Sequence, residues 1–142
     1  MFRQVLVLLL IAAPLAVFSQ VPVKGPLDGK TFVVDLYKVG KTKLYEHDDL
    51  KFSAGKFKSV LFADWGFTKA TKYQITSVDS TSATKIYSWT VEAINDIKEK
   101  MNWSGTINGE DIEGTSELIN TKGETKYSFT FTGKLKGRAG KK

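Results

Sequence analysis

Apolar and polar residues alternate with a period of two along most of this chain from residue 30 onward. In the first such run Phe32, Val34 and Leu36 occupy every second position, and Gly40 ends the run. Successive side chains of a β-strand point to opposite faces of the sheet. The pattern therefore predicts strands that each have one apolar face.

Three segments between the runs break this period. A glycine turn at residues 53–55 joins two short runs and predicts a hairpin. Residues 63–70 carry Trp65 and Phe67 without any period, which predicts a loop with an aromatic plug. Residues 94–100 are predicted as one helical turn or a long connection, and no other helix is expected in the folded domain.

The clearest turn signal is the pair Asn108 and Gly109. This pair is preferred in a two-residue type I′ turn, because both positions of that turn need positive φ. With those two residues as the loop, three cross-strand pairs are predicted: Ile107 with Glu110, Gly105 with Ile112, and Trp103 with Gly114. Bulky side chains would then face glycines across the ladder.

The runs add up to about eight short antiparallel strands of about seven to eight residues, joined mostly by short turns. Two all-β architectures fit this count: an up-and-down barrel of about eight strands, or a two-sheet sandwich. Gly105, Gly114 and Gly133 recur on the presumed inward face of consecutive strands. Inward glycines let a narrow barrel bend, so we favour the barrel.

The first nineteen residues have the layout of a secretory signal peptide. Arg3 precedes an apolar run over residues 5–18, which is shorter than the roughly 20 residues that span a bilayer. Val17 and Ser19 would lie at the −3 and −1 positions, so we predict cleavage before Gln20. The mature protein is accordingly expected to be secreted or periplasmic, with no integral membrane span.

The rest of the chain is predicted to hold one domain. Residues 20–29 are rich in proline and glycine and are predicted to form an N-terminal arm. Residues 30–136 are predicted to form a single barrel domain, and residues 137–142 a basic disordered tail. The chain contains no cysteine, so the domain must be stable without disulfides. We expect a monomer.

The formal net charge of +6 does not indicate a nucleic-acid partner. Arg3 would leave with the signal peptide, and residues 20–133 carry 15 basic and 15 acidic side chains. The excess positive charge lies in a C-terminal group: Lys134, Lys136, Arg138, Lys141 and Lys142. A groove that follows phosphates needs a basic stripe on the domain itself, so we expect no nucleic acid as a partner.

His47, the single histidine, offers little chemistry. It lies in the acidic stretch 46–49, whose adjacent side chains would point to opposite faces of an extended chain. This stretch is therefore predicted to be a polar turn and not a metal site. Every Ser-His-Asp triad would have to use His47, and the chain contains no nucleophile-elbow motif. We expect no enzymatic activity, no catalytic residue, no metal and no cofactor.

Aromatic residues dominate the predicted inner face, together with a few hydroxyls: Phe32, Phe57, Tyr73, Tyr87, Trp89, Trp103, Tyr127, Phe129 and Phe131, with Ser59, Ser77 and Ser116. An eight-stranded barrel is just wide enough either to be filled by such rings or to hold one small ligand. If it holds a ligand, six residues are the predicted binding residues: Phe57, Tyr73, Trp89, Trp103, Tyr127 and Phe129.

Several motifs between residues 27 and 136 resemble small exported bacterial lipocalin-like (calycin-type) β-barrel proteins. They are the opening LDGK at residues 27–30, the LKF and GKF runs of the first hairpin, WSGTI at 103–107, and YSF at 127–129. The resemblance implies an antiparallel barrel and an apolar ligand. The Gly-x-Trp signature of true lipocalins is missing, since residues 30–32 read Lys-Thr-Phe.

Two functions follow from these observations. The first is an exported, non-enzymatic lipocalin-like barrel that binds a small apolar ligand in its interior. The second is a structural or interaction module of the cell envelope, with a filled core and no ligand, whose outer face or basic tail contacts the envelope. An outer-membrane barrel is disfavoured by the short predicted strands and by the lysines on their polar faces.

Overall fold

The computed structural model describes residues 25–81 and 83–137, which form one closed antiparallel barrel. Its eight strands follow each other in chain order: β1 (Lys30–Lys38), β2 (Glu46–Ser53), β3 (Lys56–Ser59), β4 (Thr71–Asp79), β5 (Ile86–Ile94), β6 (Lys100–Asn108), β7 (Asp111–Ile119) and β8 (Thr125–Leu135). Pairing between β1 and β8 closes the barrel. The predicted all-β up-and-down barrel is confirmed, and the sandwich is excluded.

Some predictions fall outside the described residues: the signal peptide, the cleavage site before Gln20, most of the N-terminal arm and the tail after Gly137. Two lysines that the charge argument assigned to the C-terminal group belong to the barrel wall or its edge. Lys134 lies in β8 and pairs with Asp111, and Lys136 lies 3.2 Å from Asp49. The positive charge of the C-terminal group is therefore partly neutralised by neighbouring strands.

The strands are longer than the sequence pattern indicated. Five of the described strands contain nine residues, and β8 contains eleven. Only β3 is short, with four residues. The acidic stretch 46–49, predicted as a turn, is the first half of β2, because it pairs with residues 33–36 of β1.

The β6–β7 hairpin is offset by one residue from its predicted loop. Asn108 pairs with Asp111, so the loop is Gly109 and Glu110, and of these two only Gly109 has positive φ. Positive φ at the first loop position alone is the type II′ arrangement. The predicted type I′ turn is wrong because the real register pairs Ile107 with Ile112 in the core, whereas the predicted one would set Ile107 against Glu110.

The three inward glycines lie where the strands approach most closely. Gly105 pairs with Gly114, and a Cβ on Gly114 would lie 2.7 Å from the Gly105 Cα and from Phe131 Cζ. Trp89 is opposite Gly105, and Phe131 is opposite Gly114. Large side chains therefore do face glycines, as predicted, although the partners differ from those that the type I′ turn implied.

Both ends of the barrel are closed by segments outside the strands. At the lower end, where β1 begins, Leu27 of the N-terminal arm is fully buried. At the upper end, a 3₁₀-helix over Leu61–Trp65 inserts Phe62, which is 1% exposed, and Phe67 follows it into the core. The predicted aromatic plug exists, but its main ring comes from a helix that the sequence analysis did not anticipate.

The connection between β5 and β6 is a turn and contains no helix. The backbone N–H of Asn95 donates to the carbonyl of Glu99, and Lys98 has positive φ. The Asn95 side chain accepts hydrogen bonds from the backbone N–H groups of Ile97 and Glu99. An asparagine that bonds to nearby backbone groups in this way favours a turn over a helix.

Candidate functional site

Five of the six predicted ligand-binding residues converge in the barrel interior. Phe57, Tyr73, Trp89, Trp103 and Phe129 are all 9% exposed or less. The sixth, Tyr127, lies at the upper end with 39% of its surface exposed. Of the other predicted inward residues, Phe32, Phe131, Ser59 and Ser116 are buried, Tyr87 is half-buried, and Ser77 is exposed beyond a register shift in β4.

The lower half of the interior is organised around Phe52. Its ring lies 5.2 to 5.3 Å from the rings of Phe57, Tyr73 and Trp89, and 6.1 Å from that of Phe32. The four contacts are edge-on or nearly so, which is a favourable arrangement for aromatic pairs. The sequence analysis omitted Phe52 from the inner face, although its pairing with Phe57 across the first hairpin could have placed it there.

The upper half is filled around the ring of Phe62. Its centre lies 5.8 Å from the Trp103 ring and 5.6 Å from the Phe129 ring. Trp103 in turn contacts Phe57 at 5.0 Å and Phe131 at 5.7 Å. Rings in mutual contact therefore run from the lower half of the interior to the upper end. The main clefts formed by the described residues lie on the outside of the barrel or at its rim.

Two polar atoms inside the barrel have no hydrogen-bond partner among the described residues. They are the indole Nε1 of Trp89 and the hydroxyl oxygen of Ser116, and both residues are fully buried. Most buried polar groups in proteins are paired, so each exception needs an explanation. A molecule bound inside the barrel would be a potential hydrogen-bond partner for either group.

A buried carboxylate fastens the 3₁₀-helix to the barrel wall. Asp48 accepts hydrogen bonds from the Ser59 hydroxyl at 2.5 Å and from the Leu61 backbone N–H at 2.8 Å. Ser59 accepts one from the Phe62 backbone N–H. Burial of Asp48 raises its pKa to about 6, although these hydrogen bonds oppose the shift.

Acidification is expected to stabilise the fold through Asp48. Because the pKa of Asp48 in the folded state is about 6 against an ordinary 3.8, the folded state binds the proton more tightly. The stabilisation is complete below about pH 4 and is lost as the pH rises through 6. Between pH 7 and pH 5 the wild type should gain about 1 kcal/mol relative to Asp48→Asn.

Urea unfolding of both proteins at several pH values measures this gain. The Asp48→Asn variant keeps the size of the side chain and its acceptor oxygen but cannot titrate, so it serves as the reference for all other groups. If the difference in unfolding free energy between the two proteins stays constant from pH 7 to pH 5, Asp48 is still charged at pH 5 in the folded state. Its pKa would then not be raised.

The remaining members of the acidic stretch do not converge with Asp48. His47 points outward and lies 2.7 Å from Asp35 of β1, while both side chains are substantially exposed. Alternation along β2 thus separates the histidine from the buried carboxylate, as expected for an extended chain. Within residues 25–81 and 83–137, no three His, Cys, Asp or Glu side chains are grouped to hold a metal ion.

Tyr73 and Asp28 fasten the lower end. Asp28 accepts hydrogen bonds from the Tyr73 hydroxyl at 2.9 Å and from the backbone N–H groups of Gly25 and Gly55. The Tyr73 oxygen also accepts one from the Leu27 N–H at 3.1 Å. Burial raises the pKa of Tyr73 to about 12. This residue, predicted to contact a ligand, holds the arm against the barrel.

Exposed apolar side chains concentrate at the upper end. Of the nine large hydrophobic residues that are exposed in the described chain, seven lie there: Val39, Leu44, Tyr45, Val60, Ile94, Ile97 and Tyr127. We call this surface, together with Lys38, Lys41 and Lys43, the upper rim. Clustered exposed apolar residues often mark an interaction surface, whereas scattered ones do not.

The rim is continuous with the aromatic core. Tyr45 and Tyr127 both contact the buried ring of Phe129, at 5.1 and 6.1 Å. The Lys38 ammonium lies 5.1 Å from the centre of the Tyr45 ring and 5.2 Å from that of Tyr127. A cation in this position is attracted by the electron-rich ring faces. The two rings thereby hold one positive charge at the rim.

Two further lysines border a cleft beside Tyr45. This shallow cleft of about 350 Å³ is lined by Leu44, Tyr45 and three lysines: Lys38, Lys41 and Lys43. The ion pairs between described residues involve other lysines, so these three ammonium groups have no carboxylate partner in that part of the chain. The rim therefore combines exposed apolar area with three lysines that form no ion pair with a described residue.

Comparisons of the chain with protein-family models, with curated proteins and with solved structures find no match. The resemblance to lipocalin-like proteins therefore stays a prediction. Among the described residues, no helix has the length and apolar character to cross a bilayer.

Proposed function

We propose that this protein is a non-enzymatic interaction module of the cell envelope and that its upper rim binds an anionic lipid surface. The observation that carries the proposal is the concentration, at one end of the barrel, of seven exposed apolar side chains and three lysines that form no ion pair with a described residue. The location in the envelope depends on the predicted signal peptide.

The packing of the interior favours a binding site on the outer surface of the barrel. Rings in mutual contact fill the barrel from Phe32 to Phe129, and Leu27 and Phe62 close its two ends. A ligand would have to displace packed rings, and packed interiors resist added volume at about 1–3 kcal/mol even for small insertions. The rim needs no such rearrangement, because its apolar residues are already in solvent.

The chemistry of the rim matches an anionic bilayer surface. Exposed apolar side chains such as Val39 and Ile97 can enter the boundary between headgroups and acyl chains. Each lysine near an anionic membrane contributes about 1 kcal/mol, and this contribution decreases with salt. Lys38, Lys41 and Lys43 together would supply about 3 kcal/mol, enough to favour anionic over neutral lipid by roughly a hundredfold.

Reversal of two rim charges should reduce the preference for anionic over neutral vesicles. The double variant Lys41→Glu with Lys43→Glu is expected to bind vesicles that contain phosphatidylglycerol at least about tenfold more weakly than the wild type. Co-sedimentation with vesicles of phosphatidylglycerol and phosphatidylcholine, against phosphatidylcholine alone, measures the effect. Binding of the wild type should also fall as the salt concentration rises.

The matched control reverses two lysines at the lower half of the barrel, Lys51→Glu with Lys56→Glu. Both are exposed, so the net charge changes equally without a change at the rim. If both double variants weaken vesicle binding equally, only the net charge of the protein matters. If the wild type does not bind anionic vesicles, the rim is not a lipid-binding surface.

A second candidate, an interior site for a small apolar ligand, is favoured by one observation. Trp89 Nε1 and Ser116 Oγ are buried without a partner, and a ligand with one polar end could satisfy them. The predicted ligand residues Phe57 and Trp103 would then have to separate from their present contact at 5.0 Å. Saturable quenching of tryptophan emission by an apolar dye, in the wild type and equally in the rim variant, would support this candidate.

A further inference from the structure

The outer wall of β5–β8 carries two adjacent rows of hydroxyl side chains. One row crosses the four strands through directly paired residues: Thr90, Ser104, Thr115 and Thr130. The next row, toward the lower end, contains Ser88, Thr106, Glu113 and Thr132, again as successive partners. Seven of these eight residues are serine or threonine, so their side chains carry a hydroxyl group. We call this surface the hydroxyl wall.

Strand propensity alone does not account for this surface. Threonine favours strands, so any single threonine on the wall needs no special explanation. Both rows also lack lysine, whereas lysines occupy several outward positions of β2, β3 and β4. Lys51 of β2 pairs with Lys58 of β3, and Lys56 pairs with Lys72 of β4. Within the two rows Glu113 is the one charged residue, and the neighbouring rows contain more, such as Glu92, Glu117 and Lys134.

Seven of the eight residues of the hydroxyl wall, all except Thr90, line one shallow groove of about 620 Å³. The groove lies over the Gly105–Gly114 pair. Tyr37 of β1 borders the groove, because it pairs with Thr130 and continues the first row onto the next strand. Glu113 supplies the one carboxylate among the groove-lining residues of the described chain. The groove thus presents hydroxyls, the ring of Tyr37 and one carboxylate, while the other two lining rings, Trp89 and Phe131, are buried beneath it.

We propose that this groove binds a neutral glycan. Hydroxyl side chains both donate and accept hydrogen bonds, which matches a ligand whose own groups are hydroxyls. Tyr37 offers an apolar ring face for a sugar ring, and Glu113 can accept hydrogen bonds from sugar hydroxyls. The carboxylate and the lack of lysine disfavour an anionic polymer. Neighbouring strands lie about 4.8 Å apart, so the rows span roughly 15 Å, the length of a short oligosaccharide.

The glycan site is independent of the upper rim. The rim is apolar and basic and lies at one end of the barrel, whereas the groove lies on the side wall and carries no lysine among its lining residues. The two proposals can therefore fail separately. A protein with both surfaces could contact a bilayer with its end and a polysaccharide with its side.

Titration with neutral tetrasaccharides tests the site. Cellotetraose, maltotetraose and chitotetraose would be added to isotopically labelled protein, and backbone amide shifts followed by NMR. We expect saturable shifts for at least one of them, centred on Ser104, Thr115 and Thr130. The double variant Thr115→Val with Thr130→Val removes two neighbouring hydroxyls but keeps side-chain shape and strand propensity, and it should bind at least tenfold more weakly.

The matched control is Thr121→Val with Thr125→Val, two exposed threonines at the β7–β8 turn that should leave binding unchanged. Unchanged amide shifts outside the groove establish that each variant is folded. Tyr37→Leu should also weaken binding by removing the ring face. Absence of saturable shifts with all three tetrasaccharides, or equal binding by the Thr115 and Thr130 double variant, would overturn the glycan site.

Discussion

Gly133→Ala should destabilise the protein by at least about 4 kcal/mol, a large part of the roughly 5–15 kcal/mol by which ordinary domains are stable. A Cβ at Gly133 would lie 2.6 Å from the Val34 Cα and would also overlap the Val33 carbonyl oxygen. Both atoms belong to the backbone of β1, which cannot move aside as a side chain can. Strands β1 and β8 would have to separate where they close the barrel.

Thermal and urea unfolding compare this variant with Gly137→Ala. A Cβ at Gly137 would meet nothing within 4 Å, and the residue lacks the positive φ that disfavours alanine. The control should therefore leave stability unchanged within about 0.5 kcal/mol. Similar stability for Gly133→Ala and Gly137→Ala would mean that β1 and β8 are not in close contact at Gly133.

Trp103→Ala should cost about 3–5 kcal/mol, the usual range for removing a buried large aromatic side chain. The Trp103 ring is 2% exposed and lies between Phe57, Phe62 and Phe131, at 5.0 to 5.8 Å from each. Its removal leaves a cavity bounded by three rings. Such an apolar cavity can bind a small apolar molecule, so saturating indole should restore part of the lost stability.

Tyr127→Ala is the control for this prediction. Tyr127 is also aromatic but 39% exposed, so its truncation should cost clearly less than that of Trp103 and create no indole site. Chemical unfolding with and without indole measures both effects. Equal costs for the two truncations, or a stabilisation of the wild type by indole, would contradict a filled interior.

The period of two was sufficient to predict the strands, because it is a property of each strand by itself, and the inward glycines then favoured the barrel over the sandwich. Inward glycines at 105, 114 and 133 were correctly assigned for the same reason: their side of the strand follows from the alternation. The loop between Asn108 and Asp111 was misplaced by one residue. Local preference for an Asn-Gly loop competes there with burial of Ile107 against Ile112, and burial determines the register.

The closures at the two ends could not be predicted from alternation. Phe62 lies in a short 3₁₀-helix with no repeating pattern, and its position depends on Asp48 and Ser59, which come from two different strands. Asp28 and Tyr73 are likewise 45 residues apart in sequence, so only the closed barrel brings them together. These long-range contacts make the difference between an open and a filled interior.

The hydroxyl wall and the upper rim could not be predicted from alternation either. The outward side of each strand was evident in the sequence, but the rows of the hydroxyl wall depend on the register across β5–β8. A shift of the β6–β7 register by two residues, as the predicted loop implied, would break both rows. The upper rim in turn depends on which loops share an end of the barrel, and this follows only from the strand order.

A native mass spectrum of the protein purified from its own host shows directly whether the barrel interior is filled by the protein's own rings. We expect the mass of the polypeptide without any apolar molecule, for the wild type as for the Tyr127→Ala variant. A small apolar molecule retained in a one-to-one ratio, and released only on unfolding, would contradict this expectation.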